Sequence, residues 1–269
     1  MNKLLNRLFN HDIILNILMK KQILIFDIDG TIVESSQSLS NEHAIILREL
    51  KKKYEIAICG GGSLPKALEQ MKNKVYFDHY FTECGCVYNK NMDKYSLQLK
   101  EMYTKNIRDH PLYRKINILI KETLAFMSQV DYDVSGHFID LRNGIIYVSC
   151  IGMQATQKER AYFIEIDKKE NIRQKLIDIL SKKATELNIV DELSIKIGGS
   201  VGIAIYPNEY DKKQILQTIH TFDYEKIVYF GDKYESDGND YYLLNAKEVI
   251  GHKIDSIEQT FEILQKVYL

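Results

Sequence analysis

Tryptophan is absent from this 269-residue chain, proline occurs 3 times and glycine 14 times. The scarcity of proline and glycine excludes long disordered or collagen-like tracts. The missing tryptophan, set against 18 tyrosines, implies nothing about chemistry. No apolar run reaches the ~18 residues of a transmembrane helix, so no membrane partner is expected. Neither sign of charge dominates: 36 Lys and Arg against 37 Asp and Glu leave a net charge of -1. That excludes a broad, strongly basic nucleic-acid surface, though not a local patch. The four cysteines, Cys59, Cys84, Cys86 and Cys150, form no C-x-x-C pair. Cys84-Gly85-Cys86 has no companion at zinc-site spacing. They read as small reduced residues of a cytoplasmic protein. The seven histidines show no H-x-x-H or H-x-x-x-H pairing.

What is present is ordinary for a soluble globular protein: 45% hydrophobic and 27% charged residues, in a length sufficient for two modest domains. Residues 1–21 read as an N-terminal extension. Their apolar stretch is short, broken by Asn and Asp, and lacks a small-residue cleavage site. An amphipathic leader helix fits better than a targeting segment. Translation starting at Met19, directly before the first strand, is an alternative.

Gln22–Phe26 is a continuous apolar run ending in acid, the pattern of a buried parallel strand. Helical spacing follows over Asn41–Lys53, then a second buried strand over Glu55–Cys59. Gly60-Gly61-Gly62 cuts that strand off, and Ser63–Met71 reads as a helix with Ser63 as N-cap. The alternation predicts a doubly wound α/β core. After about residue 92 the pattern changes. Leu112–Met127 is helical. His137–Leu141 and Ile145–Ser149 flank Arg142-Asn143-Gly144, a hairpin signal. Helices near 157–164 and 168–187 precede a second hairpin, Leu193–Ile197 and Val201–Tyr206. Alternation then returns with a helix over Lys212–His220, a strand over Ile227–Phe230 and a last helix near 254–267. The expected organisation is an α/β core over 22–93 and 207–269, interrupted by an inserted α+β cap over 94–206. Tyr162, Phe163 and Ile164 are expected to pack inward, and Lys51-Lys52-Lys53 to form a solvated helix face.

Phe26-Asp27-Ile28-Asp29-Gly30-Thr31 is the most informative hexamer. It places two carboxylates at the carboxyl end of a buried strand, where open α/β sheets bind their ligands. One can attack phosphorus while the other handles the proton of the departing or entering hydroxyl. The bland alternative is an acidic turn closing a strand. Gly60-Gly61-Gly62-Ser63 at a helix N-terminus is a natural phosphate cradle, or a plain glycine turn. Asp232 to Asp240 is acidic and glycine-containing, but lacks the spacing and terminal Glu of an EF-hand calcium loop.

The Asp-x-Asp-Gly-Thr stretch resembles the signature of the haloacid dehalogenase superfamily. FDIDGTI, CGGGSLPKALEQM, YFDHYFTECGCVYNK, HFIDLRNGIIYVSCIG, KER…EIDKKENIRQKL, IGGSVGIAIYPNEYDK and YFGDK…GNDY run in order. Together they resemble the eukaryotic-type phosphomannomutase family from residue 22 onward. The resemblance implies a catalytic core with a large cap, a homodimer formed through caps, and Mg²⁺. It implies interconversion of mannose 6-phosphate and mannose 1-phosphate through a sugar bisphosphate, feeding GDP-mannose synthesis. Asp27 would be the nucleophile and Asp29 the general acid/base. Asp27, the Asp29 carbonyl and Asp232 would hold the metal, with Asp240 in support. Lys212 and the amides of Gly61, Gly62 and Ser63 would offset phosphate charge, and Arg142 would grip the substrate's distal phosphate or sugar.

Departures accompany the matches. Three further arginines of the family fall here on Ser36, Ser135 and Met153. A Ser and an Asp of the second cap hairpin fall on Gly202 and Ala204. The family's Gly-Gly-Ser-Asp matches Gly61-Gly62-Ser63 with a shift of one; unshifted, its Ser falls on Gly62. Charge-assisted bonds to phosphate contribute about 1.5–3 kcal/mol each, so the sugar side is depleted. Lys158, Arg160 and Lys196 are candidates to restore cap charge. A phosphatase acting on another phosphorylated metabolite, or a phospho-ligand-binding dimer without turnover, stand as the alternatives.

Overall fold

The computed structural model describes residues 22–35 and 37–269. The expectations for the N-terminal extension, for Met19 and for Ser36 lie outside the described residues. The chain divides into two compact units, cut after Thr104 and again after Asp211.

The first unit holds a seven-stranded sheet. Its strands are β1 (Gln22–Phe26), β2 (Glu55–Cys59), β3 (His79–Thr82), β4 (Val87–Asn91), β5 (Leu99–Thr104), β10 (Lys226–Gly231) and β11 (Val249–Lys253), in the order β11-β10-β1-β2-β3-β4-β5. β11 through β3 run parallel, whereas β4 and β5 are antiparallel additions at one edge. Both faces of the central strands are buried, which is why they read as unbroken apolar runs. Leu24, Phe26, Ile56, Ile58, Val228 and Phe230 pack on one face, with α1 (Asn41–Leu50) and α8 (Ile257–Ile263). Ile23, Ile25, Ala57, Cys59, Ile227 and Tyr229 pack on the other, with α6 (Ile215–Ile219) and α7 (Tyr241–Leu244). The strand order turns back at β1, between β2 and β10. Open α/β sheets bind ligands at such a switch point, at the carboxyl ends of the strands.

The second unit, Lys105–Asp211, carries a four-stranded antiparallel sheet. Its strands are β6 (Ile139–Leu141), β7 (Ile146–Ser149), β8 (Leu193–Gly198) and β9 (Gly202–Pro207), in the order β6-β7-β9-β8. Ile146, Val148, Ile203 and Ile205 form its core face with residues of α3 (Tyr113–Met127), α4 (Gln157–Glu170) and α5 (Ile172–Glu186). Period-2 alternation leaves Asp140, Tyr147, Ala204 and Lys196 aligned across the other face.

Several elements differ from the sequence reading. The first division falls at 104 rather than 93 because β5 pairs with β4 and so belongs to the large sheet. The first helix stops at Leu50, and Lys51 is buried against Asp78, 3.2 Å away, instead of solvated. Residues 254–267 do not form one helix. The edge strand β11 ends at Lys253, and α8 begins only at Ile257. Lys212–Gln214 is a single tight turn before α6. Phe163 is fully buried, but Tyr162 on the same helix is exposed.

Candidate active site

β1 delivers Asp27 and β10 delivers Asp232, side by side at the switch point. The register pairs Phe26 with Phe230, and the Asp27 N–H donates to the Phe230 carbonyl at 2.9 Å. Gly30 holds φ at +90°, and a Cβ there would stand 2.5 Å from Asp232 Oδ2. Glycine is therefore required for the first loop to lie against the second. Gly231 plays the same part beneath Asp240, where a Cβ would come 2.6 Å from the carboxyl carbon.

Lys212 stands at the centre, with no exposed surface. Its ammonium donates to Asp27 Oδ1, to Asp240 Oδ1 at 2.6 Å and to the Tyr229 hydroxyl at 3.3 Å. Asp240 is also fully buried. It accepts from the Tyr229 hydroxyl on Oδ1 and from the Lys233 N–H on Oδ2 at 2.9 Å. Asp240 is thus held by the protein itself and braces Lys212. Burial raises the Asp27 carboxyl to about 8, and the neighbouring Asp240 and Asp232 add to the rise against the opposing pull of Lys212. Burial also works against charge on Lys212, but Asp240 and Asp27 hold its pKa well above that of a free lysine.

Carboxylate oxygens of Asp27, Asp232 and Asp240 lie within 4.8 Å of one another. Asp232 Oδ1 is buried with no hydrogen-bond partner, while Oδ2 meets Lys233 Nζ. An orphaned carboxylate oxygen beside a second, buried carboxylate fits a hard divalent cation, which prefers oxygen donors. Asp29 stands apart from this trio. Its two oxygens accept from Lys66 Nζ at 2.6 Å and Gln70 Nε2 at 2.7 Å, both from α2 (Leu64–Met71). Gly61 and Gly62 lie in the loop leaving β2, and Ser63 takes the N-cap position of α2 without a side-chain capping bond. Gly61 faces Asn239, whose buried Oδ1 has no partner. Beside Asp232 opens a cleft of about 310 Å³, bounded by Gly30, Glu34, Lys233, Tyr234 and the segment Ile254–Ile257.

Arg142 belongs to the second unit. Its Nε donates to Asp140 at 2.7 Å, and its guanidinium lies 5.2 Å from the centre of the Tyr147 ring. At the positions of the departures, Ser135 Oγ donates to Glu159 at 2.7 Å and the Met153 N–H to the His137 carbonyl at 2.8 Å. Gly202 lies under Tyr147, 2.6 Å from the ring by its missing Cβ, and Ala204 is the cross-strand neighbour of Tyr147. Arg160 is engaged by the backbone carbonyls of Ala155 and Met153. The four cysteines are free and buried.

A buried lysine bridging two aspartates at a switch point, next to carboxylates that fit a cation, is the equipment of phosphoryl transfer. The family profile described as Eukaryotic phosphomannomutase matches residues 43–269. The chain belongs to the eukaryotic phosphomannomutase family. It is 33% identical over 254 residues to a probable phosphomannomutase of Caenorhabditis elegans, covering 92% of this chain and 95% of that one. To a phosphomannomutase of Arabidopsis thaliana it is 33% identical over 241 residues, covering 88% and 93%. Its fold is shared with the IMP-bound, N-terminally truncated IMP-nucleotidase of Plasmodium falciparum, at a TM-score of 0.65 and 14% identity, over 91% of this chain and 67% of that one. The chain is a phosphomannomutase-like enzyme of the haloacid dehalogenase superfamily. Among its described residues, no helix is long and apolar enough to cross a membrane.

Sequence reasoning passed over Lys66, Gln70, Tyr229 and Asn239. Lys66 and Gln70 carried a usable signal, since i,i+4 spacing sets them on one face of α2. Tyr229 carried none, because a tyrosine inside an apolar strand reads as core.

Proposed function

We propose that the enzyme interconverts mannose 6-phosphate and mannose 1-phosphate through an aspartyl-phosphate on Asp27, with a sugar bisphosphate as the exchanging species. The product would feed GDP-mannose synthesis. The observation that carries this reading is the buried Lys212, bound to both Asp27 and Asp240 beside Asp232. An Asp27 oxygen attacks phosphorus and the bond from phosphorus to the sugar oxygen breaks. Asp29 gives a proton to that oxygen. In the second half, Asp29 takes the proton of the accepting hydroxyl, which attacks the phosphorus and frees the Asp27 carboxylate. Asp29 must exchange one bond, to Lys66 or Gln70, for the sugar oxygen. Lys212 and the amides of Gly61, Gly62 and Ser63 balance charge on the transferring group.

Mg²⁺ would be held by Asp27, Asp232 and the Asp29 carbonyl, with Asp240 in support through Lys212. When bound it would neutralise phosphoryl charge. Arg142 would bind the substrate's distal phosphate or sugar hydroxyls. A homodimer formed through the caps and a cytoplasmic location complete the reading, the first from the family and the second in keeping with four reduced cysteines.

The second reading is a phosphatase on the same fold. It is favoured by the absence of cations at Ser135 and Met153 and of polar side chains at Gly202 and Ala204, since a hydrolase needs one phosphate site and a mutase two. The deciding experiment is phosphorus NMR of purified protein with Mg²⁺, mannose 1-phosphate and a hexose 1,6-bisphosphate. Mannose 6-phosphate is expected, whereas inorganic phosphate without isomer would replace the mutase by the hydrolase. Asp27→Asn is expected to lower turnover at least ~10⁴-fold. Unchanged turnover would remove Asp27 from the chemistry.

A further inference from the structure

Three consecutive residues after β3, Glu83, Cys84 and Gly85, hold φ at +52°, +56° and +88°. Two of them carry side chains, in a region that L-residues avoid. The turn is buried, with Glu83 4% and Cys84 2% exposed. Local strain of this kind persists only where the surroundings determine it. Here they do so from two sides. The N–H groups of Glu83 and Cys84 donate to the carbonyls of Gly62 and Gly60, each at 3.0 Å. On the far side, the Cys84 carbonyl accepts Gln214 Nε2 at 2.9 Å and the Gly85 carbonyl accepts the Tyr103 hydroxyl at 3.1 Å. Gln214 is buried and lies two residues beyond Lys212. Gly85 cannot be replaced, because a Cβ would stand 2.5 Å from Ile215 Cγ2.

The planar trans peptide gives this arrangement a consequence. The Gly60 carbonyl and the Gly61 N–H share one plane and point in opposite directions, as do the Gly62 carbonyl and the Ser63 N–H. Tying both carbonyls to the turn therefore aims both N–H groups away from it. The same turn is tied through Gln214 to the segment that presents Lys212. One buried hinge of backbone thus fixes the amide donors of the glycine loop and the ammonium of Lys212 in a single frame.

We propose that Gln214 and the Glu83–Cys84–Gly85 turn are positioning elements for phosphoryl transfer, setting the aim of the Gly61 and Ser63 amides relative to Lys212. This rests on the reading that Asp27 carries the phosphoryl group. It predicts that loosening the turn damages the transfer step more than metal loading or sugar binding, since the bonds holding the turn run to the glycine loop, Gln214 and Tyr103.

The test uses full-length protein with Mg²⁺, beryllium fluoride as a phosphoryl mimic followed by fluorine NMR, and kcat and KM for mannose 1-phosphate with a hexose 1,6-bisphosphate. Gln214→Leu is expected to lower kcat about tenfold and to weaken the beryllofluoride adduct about tenfold. KM and Mg²⁺ affinity are expected to stay within about twofold. Cys84→Gly, which accepts the left-handed conformation without adding bulk or a polar group, should behave as the parent, while Cys84→Val should lose kcat as Gln214→Leu does. Tyr103→Phe removes one hydroxyl from a half-buried ring and should cost about threefold in kcat. If Gln214→Leu or Cys84→Val does not fold, Tyr103→Phe decides. Parent-like kcat in every folded variant, or kcat and KM moving together, would overturn the positioning role. Asp27→Asn must form no adduct. A parent enzyme that forms none would instead overturn the Asp27 reading beneath it.

Discussion

The two units treat charge in opposite ways. In the first unit Lys212 and Asp240 have no exposed side-chain surface, and each is bound by several partners. In the second unit Arg142 keeps 19% of its side-chain surface, pairs with Asp140 and lies against the Tyr147 ring. Around it the sheet face carries Gly202 and Ala204. Charges buried in low dielectric interact strongly but cannot be unpaired without large cost, whereas half-exposed pairs are weak and exchangeable. On the proposed reading, the chemistry of transfer is locked into the fold, and the grip on the sugar is left adjustable. Loss of function should split along the same line: stability and chemistry fail together in one unit, and selectivity fails alone in the other.

The hardest way to break the comparison is Lys212→Met. It leaves the buried Asp240 carboxylate beside Asp27 without its cation, which should destabilise the protein by about 3–5 kcal/mol and remove turnover. Adding Asp240→Asn should return much of the stability and none of the activity. A single variant that melts like the parent would show that the buried charges are not coupled as their geometry indicates. The counterpart is Arg142→Ala. It should lower kcat/KM for hexose phosphates about 10- to 100-fold, the worth of one charge-assisted phosphate bond. Stability should change by less than about 1 kcal/mol, and acetyl phosphate hydrolysis should be untouched. Equal losses with both substrates would place Arg142 in the chemical step.

The same division explains what could be read in advance. β1, β2 and β10 were legible because strands buried on both faces must be continuously apolar. The place of Asp27 and Asp29 was legible because they follow directly on a continuously apolar strand. β3 to β5 were not, because His79, Tyr88 and Asn89 mix polar and aromatic residues whose partners lie far along the chain. His79 is buried only because Tyr88, Glu55 and Tyr224 take up its two nitrogens. β11 was missed because an edge strand with exposed Gly251 and half-buried His252 has no apolar period. The bracing of Lys212 by Tyr229 and the hold of Lys66 and Gln70 on Asp29 are contacts between distant segments, which local spacing does not encode.

A finer probe of the buried centre is the pH dependence of metal loading. Burial, reinforced by Asp240 and Asp232 and opposed by Lys212, places the Asp27 carboxyl at about 8. A cation must displace that proton. Apparent Mg²⁺ affinity should rise about tenfold per pH unit up to about pH 8 and then level off. In metal-free protein the sign for stability is the reverse of the usual carboxylate. The folded state prefers the neutral acid, so stability should fall as pH rises from the ordinary 3.8 to about 8. Calorimetric titration between pH 6 and 9 measures the first effect, and Asp27→Asn should bind weakly with no slope. A flat profile in the parent would mean that Asp27 is already ionised without metal.

The smallest effect belongs to the second unit, where Ser135 is employed in structure. Its hydroxyl, with the Thr156 side chain and N–H, holds the Glu159 carboxylate in a capping box at the start of α4. The Thr156 side chain first, then its N–H and Ser135, lower the Glu159 pKa from 4.5 to about 2. Such a depressed acid contributes stability that is complete above the unfolded value of 4.5 and disappears as pH falls through about 2. Glu159→Gln should therefore melt slightly below the parent at pH 6, with the gap closing steadily as the pH is lowered toward 3. Turnover at neutral pH should not change, because the half-buried side chain is taken up by Thr156 and Ser135 and only caps a helix. A gap that stays constant with pH would mean that the box holds through shape rather than charge. A loss of turnover would mean that this corner of the second unit serves the substrate.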